Sequence, residues 1–301
     1  MWFRALIISA LFSCALPEID FLLGEQAFAG SRSGPESELR LPGAGNVQIL
    51  SLKDGSTVIG RIVELGEGEL RFETKMGRLT IKAGDIKSVK EVPEALIRNG
   101  QYWHPNPNRT RLFFGPTARM LNKGEAYFAD YDLFFPALTV GLTDRVTIGG
   151  GMSIFPAVGL DKQIYYLTPK VKLKSIGRLD FAAGALVLKL PDNSAVVGVA
   201  YGLGTYGNDD VSVSLGLGYG FVGSHVADKP LVMLGGEKRI SRRTALVTEN
   251  WVVPGEGEPL VSYGVRFFGE DMSFDLAFMN LLGEDAVFPG IPYIDFVFKF
   301  R

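Results

Sequence analysis

Residues 194–221 form two runs that alternate strictly, and that alternation constrains the chain more than any other feature. In the first run Val197, Val199, Tyr201 and Leu203 fall on one face, with Val196, Gly198, Ala200, Gly202 and Gly204 on the other. In the second, Val211, Val213, Leu215, Leu217, Tyr219 and Phe221 oppose Ser212, Ser214, Gly216, Gly218 and Gly220. A period of two belongs to β-strands, and Gly207-Asn-Asp-Asp210 between the runs suits a reversal, so the stretch predicts a hairpin. A soluble sheet covers its outer face with charged side chains. Here one face is continuously apolar and the other carries glycine, alanine and serine. The expectation is a wall between lipid and a narrow polar interior, with the odd-numbered residues of both strands facing lipid. The run lengths match the roughly 9 to 11 residues with which a tilted strand crosses a bilayer.

Composition agrees with this reading. The chain has 301 residues, 47% of them hydrophobic, with 37 glycines and 21 phenylalanines, a profile of β-barrels rather than helical bundles. A net charge of −2 gives no electrostatic case for nucleic acid. Past the N-terminus no run approaches the roughly 18 apolar residues of a spanning helix. The single cysteine excludes an internal disulfide.

Met1-Trp-Phe-Arg4 followed by Ala5 to Leu16 reads as an export signal, taken as residues 1–29. Two processing signals compete: Ala27-Phe-Ala29 before Gly30, and Leu11-Phe-Ser-Cys14, which resembles the lipobox that would leave Cys14 lipidated. Residues 30–45 are too polar and too rich in glycine and proline to bury a core, and read as a linker.

Residues 46–92 contain short alternating runs separated by turn signals: 47–52, Asp54-Gly55, 57–63, 70–74, Gly77, 79–81 and 86–89. The Asp-Gly turn, the Gly60-Arg-Ile run and the Gly77-x-Leu-x-Ile hairpin resemble a small SH3-like or Sm-like barrel, which implies a module able to hold a periplasmic partner. Its basic and acidic residues balance, so no nucleic-acid face is expected. The Pro- and Asn-rich run at 93–109 reads as a second linker.

From Thr110 to the C-terminus strands and turns alternate. The patterning predicts strands near 133–143, 145–155, 163–174, 178–189, 194–205, 210–222, 230–239, 243–253, 259–268, 272–281 and 292–300, with tight connections alternating with mostly longer ones. Short periplasmic turns and longer external loops produce this asymmetry in outer-membrane barrels. If the last strand ends in the periplasm, parity requires one further strand between Thr110 and Tyr131, giving an even total of about twelve. The last strand displays its faces openly: Ile294, Phe296, Phe298 and Phe300 alternate with Tyr293, Asp295, Val297 and Lys299.

Several further runs carry a wider resemblance: Asn106-Pro-Asn-Arg-Thr-Arg-Leu-Phe-Phe-Gly-Pro-Thr-Ala118, Lys123-Gly-Glu-Ala-Tyr127, Val140-Gly-Leu-Thr-Asp144 and Thr248-Glu-Asn-Trp251. With the glycine-rich hairpin they resemble a family of uncharacterised bacterial outer-membrane β-barrel proteins with an N-terminal SH3-like module. The resemblance implies an all-β fold, a small SH3-like barrel followed by an antiparallel transmembrane barrel of about twelve strands over 110–301. It also implies residence in the outer membrane with the module in the periplasm. The partners it implies are outer-membrane lipid and the barrel assembly machinery. It brings no catalytic residues.

Enzymatic barrels of the twelve-stranded phospholipase class need a serine activated by a histidine. His225 adjoins Ser224 with no orienting third group, and His104 lies in the 93–109 run, so no catalytic, cofactor or metal site is expected. The candidates for function are charged residues alternating with apolar ones: Lys170, Lys172, Asp180, Arg266, Asp275, Asp295 and Lys299. A Lys or Arg facing mid-bilayer lipid costs about 2 to 4 kcal/mol, so all seven are expected to line the lumen. They point to passage or binding of a small polar solute, against a lumen filled by ion pairs in a scaffolding barrel. The face of Glu249 stays open at this stage. A closed barrel predicts that the detergent-extracted chain migrates faster on a gel before boiling than after it; identical migration would exclude closure.

Overall fold

The computed structural model describes residues 39–191, 195–283 and 288–300. The export signal over 1–29 with Cys14, and the linker up to residue 38, lie outside the described residues. The chain divides into two compact units at Glu94/Ala95.

The first unit is a five-stranded antiparallel sheet of β1 (Asn46–Leu52), β2 (Thr57–Leu65), β3 (Glu69–Thr74), β4 (Gly77–Lys82) and β5 (Ile86–Pro93), in the order β4-β3-β2-β1-β5. Alternation puts Leu50, Ile62, Leu70, Phe72, Ile81 and Ile86 into one buried cluster. A bulge in β2 between Ile62 and Glu64 disturbs the ladder. There the buried Gln48 side chain accepts from the Ile62 N–H at 3.0 Å and donates to the Arg40 carbonyl at 2.7 Å. Gly60 is required where β2 passes β3, since a Cβ there would stand 2.1 Å from the Glu73 carbonyl oxygen.

The second unit begins with a short hairpin, β6 (Ile97–Arg98) and β7 (Gln101–Tyr102). Its body is a closed antiparallel barrel of twelve strands. These are β8 (Ala126–Tyr131), β9 (Phe135–Thr143), β10 (Val146–Met152), β11 (Tyr165–Ile176), β12 (Leu179–Lys189), β13 (Val196–Gly207), β14 (Val211–Val222), β16 (Leu231–Ser241), β17 (Thr244–Val253), β18 (Glu256–Phe268), β19 (Met272–Leu281) and β20 (Ile291–Phe300). Each pairs with its neighbour in sequence, and β20 closes the ring on β8. The short β15 (His225–Val226) folds back on the end of β14. The extra strand demanded by parity is β8, and it is shorter than the others.

The outer wall is apolar. On β14 Val211, Val213, Leu215, Leu217 and Tyr219 are exposed, as are Phe298 and Phe300 on β20. On β20 the opposite face is buried, with Tyr293, Asp295 and Val297 turned inward.

The face expected for β13 is overturned. Leu203, Val199 and Val197 are buried, and Leu203 packs on Ala118, Met120 and Ala182, with Tyr201 against the same cluster. The reason lies in the register. Tyr201 pairs with Gly218 and Leu203 with Gly216, so odd positions of β13 share a face with even positions of β14. Large inward side chains on β13 thus stand opposite glycines of β14. On the lipid side the order reverses, with Ala200, Gly202 and Gly204 beside Tyr219, Leu217 and Leu215. The β11–β12 ladder has its register shift between Lys172 and Lys174.

The linker expected over 93–109 is also revised. It contains the β6–β7 hairpin, and from Trp103 the chain runs into the barrel, where His104, Asn106 and Asn108 are buried. Residues 110–121, expected to contribute to the wall, continue inside the lumen. They lack alternation, and they carry buried polar and apolar residues together. The alternating connections predict sidedness. With Cys14 replaced, a cysteine at Asp228 should react with an impermeant maleimide on intact cells, and one at Arg243 only after the outer membrane is permeabilised. Equal reaction of both on intact cells would break this topology.

Candidate functional site

The lumen holds residues 103–121 of the chain's own backbone, and the charged side chains of the wall are arranged around it. Irregular backbone lacks a ladder, so each of its buried N–H and C=O groups needs another partner. The wall provides them.

At the tight-turn end Trp103 lies between two guanidinium groups, with Arg98 4.8 Å and Arg239 4.9 Å from its ring centre. Arg98 pairs with Asp210 in the turn before β14 at 2.5 Å. Arg239 donates to the His104 carbonyl at 2.9 Å, and the Asn106 amide donates to Glu237 at 2.6 Å. Both wall residues sit on β16, where the register places Gly235 two residues above Glu237 on the same face. A Cβ at Gly235 would stand 2.4 Å from Leu112, so the missing side chain lets the inner segment approach the wall.

Arg266 is the centre of the polar network. It is fully buried, and its guanidinium makes a two-pronged contact with Asp275, at 2.7 Å on each oxygen, and a third with Glu237 at 2.8 Å. It also donates to the Asn108 and Leu112 carbonyls at 3.2 and 2.6 Å. Deeper in, Arg111 pairs with Asp295 at 2.7 Å, donates to the Phe113 carbonyl, and lies 4.3 Å from the ring centre of Tyr131.

A bridge between Arg111 and Pro116 turns the segment back on itself, with Phe113, Phe114 and Gly115 at the tip. One carboxylate oxygen of Glu249 accepts the N–H groups of all three, at 2.8, 3.0 and 2.9 Å. Its other oxygen accepts from the Trp251 indole at 2.7 Å. Glu249 is completely buried and faces inward, which answers the question its sequence position left open. The Lys170 ammonium joins the two limbs, donating to the carbonyl of Thr110 on the entering one and of Thr117 and Arg119 on the returning one, at 2.9, 2.8 and 2.9 Å. Thr205 accepts from Ala118 N–H at 2.8 Å, and Thr147 from Leu121 N–H at 3.2 Å.

Of the seven charged residues singled out from sequence, Lys170, Arg266, Asp275 and Asp295 are buried in this network. Lys172 and Asp180 pair with each other at 3.1 Å, and Lys299 pairs at 2.8 Å with Glu125, which also meets Arg109 at 3.3 Å. Glu237, Arg239 and Arg111 belong to the same network and were not anticipated. Glu237 and Arg239 share their strand face with Leu231 and Met233, so the polar-in alternation that marked the other positions is absent from β16. Among the described residues no group of histidine, cysteine and carboxylates is placed to hold a metal. His225 is exposed on β15, whereas His104 is buried beside Phe268, with ring centres 5.9 Å apart.

A closed antiparallel barrel of even strand number, with an apolar outer wall and its buried charges turned inward, is the architecture of bacterial outer-membrane proteins, and the chain is one of them. No family model matches the sequence, and no curated protein does. Solved structures of similar fold include the KdgM porin, at 10% identity and a TM-score of 0.44, covering 59% of this chain and 98% of that one. The NanC porin is similar at 6% identity and a TM-score of 0.39, over 58% of this chain and 97% of the other. A porin of Rhodopseudomonas blastica, in a triple mutant, is similar at 15% identity and a TM-score of 0.31, over 87% and 99%.

Removing Arg266 leaves Glu237 and Asp275 buried without their counter-charge, so Arg266→Met should destabilise the folded barrel by about 3 to 5 kcal/mol. The half-exposed pair of Lys172 and Asp180 is worth roughly 1 kcal/mol or less, and Lys172→Met should have a correspondingly small effect. Urea titration in detergent, followed by the fraction of fast-migrating form, measures both.

Proposed function

We propose that this protein is an outer-membrane barrel for a small solute whose through-path is closed by residues 103–121 in the state described above. The observation that carries the reading is the seating of the inner hairpin. Glu249 takes three successive N–H groups of its tip and Lys170 three carbonyls of its limbs. Both anchors are charges on the wall, and polar contacts of this kind exchange for water when a segment leaves, while the buried Leu112, Phe113, Met120 and Leu121 hold it in the closed state. In the vacated barrel, Lys170, Lys172, Asp180, Arg266, Asp275, Asp295 and Lys299 would line a polar passage.

The sheet at 46–93, which we read as SH3-like because β5 returns to pair with β1, belongs on the periplasmic side in this proposal. The chain enters the barrel at the end that carries the tight turns, where Arg98 meets Asp210. One observation favours a second reading, a scaffolding barrel whose module holds a periplasmic partner. Every one of the seven lumen charges already has a partner within the chain.

Planar-bilayer recording separates the two. The intact protein should pass little current. Replacing 103–121 with a flexible glycine-serine stretch of equal length should open an ion-conducting path, and adding Lys170→Glu and Lys172→Glu should shift its selectivity toward cations. A barrel that stays silent after the replacement, while still migrating as a folded form, rejects the channel and retains the scaffold.

A further inference from the structure

We infer that the half of the lumen beyond the hairpin tip is a binding chamber for an uncharged apolar molecule, a hydrocarbon or aromatic ring rather than a sugar or an ion. The inference names the solute class for the barrel and rests on its reading as a solute-binding one.

The lumen changes character along its length. The charges gather in the half with the tight turns, where residues 103–121 use them. Past the tip, strand register turns Leu186, Val199, Met233, Trp251, Leu260 and Met279 to the interior: Leu186 pairs with Val199, Met233 with Trp251 and Trp251 with Leu260. The inward sense is set by neighbours on the same strands, with Leu203 against Ala118 on β13, and Glu249 bonded to the hairpin on β17. Polar-solute channels need the opposite lining there.

Val199, Met233, Leu260 and Met279 are themselves buried, and two observations mark the space they leave beside the hairpin tip. Phe114 at the hairpin tip is 39% exposed although it lies within the barrel against Tyr293 and Tyr131, with ring centres 4.6 and 6.3 Å away. Leu186, Tyr201 and Trp251 are likewise only partly buried. Large apolar side chains exposed inside a lumen form a surface that water wets poorly.

Two of the polar groups nearby are already engaged. The Trp251 indole N–H is given to Glu249, and the Tyr166 hydroxyl contacts the Phe135 and Pro136 carbonyls, each at 2.9 Å. A hydrated sugar or ion entering this space would shed water for few replacement donors or acceptors, chiefly the Tyr201 hydroxyl, whereas an apolar molecule would gain by leaving water. Phe114 and Trp251 offer it aromatic faces.

The test uses the full-length exported protein in lipid nanodiscs, with naphthalene as the apolar probe and glucose as the polar one, in equilibrium dialysis against empty nanodiscs. Saturable naphthalene binding of one per barrel, above the empty-disc background, is expected, with none for glucose. Leu186→Trp, which fills the chamber from a partly buried position, should weaken binding by about tenfold or more. Phe114→Glu, in the inner hairpin and away from the barrel ladder, should do the same by charging the floor. Gel migration before and after boiling verifies that each variant is folded. Naphthalene uptake no greater than in empty discs, binding unchanged in both variants, or saturable glucose binding in its place would overturn the inference. A barrel that conducts once 103–121 is replaced yet binds no naphthalene sinks this inference alone. One that binds naphthalene but never conducts sinks only the channel.

Discussion

The structure depends on one constraint: backbone inside a barrel must have its hydrogen bonds satisfied without water. Residues 103–121 form no ladder apart from a single bridge, so their amides and carbonyls would be costly to bury unaided. Arg266 and Glu249, on the paired strands β18 and β17, and Lys170 on β11 meet that requirement. Their own burial is tolerated for the same reason, since each charge faces several opposed dipoles or a counter-charge. The network and the inner segment are therefore mutually dependent. Without the wall charges the segment's amides and carbonyls lose their partners; without the segment Arg266 keeps Asp275 and Glu237, while Glu249 and Lys170 turn to water.

Pairing of large with small residues across strands shapes the space the segment occupies. On β13 and β14 every sizeable side chain faces a glycine, alanine or serine, except where Tyr206 meets Val213 and Val197 meets Val222 at the strand ends. The pattern lets Leu203 and Tyr201 reach the inner segment without thickening the wall, and it leaves a smooth lipid face of Leu215, Leu217 and Tyr219. Gly235 does the same for Leu112 on the neighbouring β16. The lumen is thus graded, with charges where the segment sits and apolar walls beyond its tip. That gradation decides what class of molecule the outer half can take up.

Much of this was legible from residue patterns. Alternation located the strands, turn residues located the reversals, and parity called for the strand that proved to be β8. On β20 the charged and aromatic residues alternate so openly that both faces could be assigned at once. The hairpin of β13 and β14 was read correctly as a hairpin, yet one of its faces was assigned the wrong way round. Apolar residues fall on odd positions of both strands, and only the register shows that odd positions of one share a face with even positions of the other. Residues 103–121 were harder still. Their prolines and asparagines look like a solvated linker, and nothing local says that a distant carboxylate, Glu249, will collect their amides.

What the sequence by itself determined is what a period of two can carry: an all-β chain, an apolar belt, an even closed barrel and charges kept off the lipid. These follow because each strand meets the bilayer through its own side chains, so the information is local. What only the tertiary structure decided is the content of the lumen. Arg266 meets Asp275 nine residues away, but Arg111 meets Asp295 at a separation of 184 residues and Glu249 meets Phe113 at 136. Such contacts exist only once the barrel has closed, because closure is what brings the far wall within hydrogen-bonding distance of a segment that no local pattern marks.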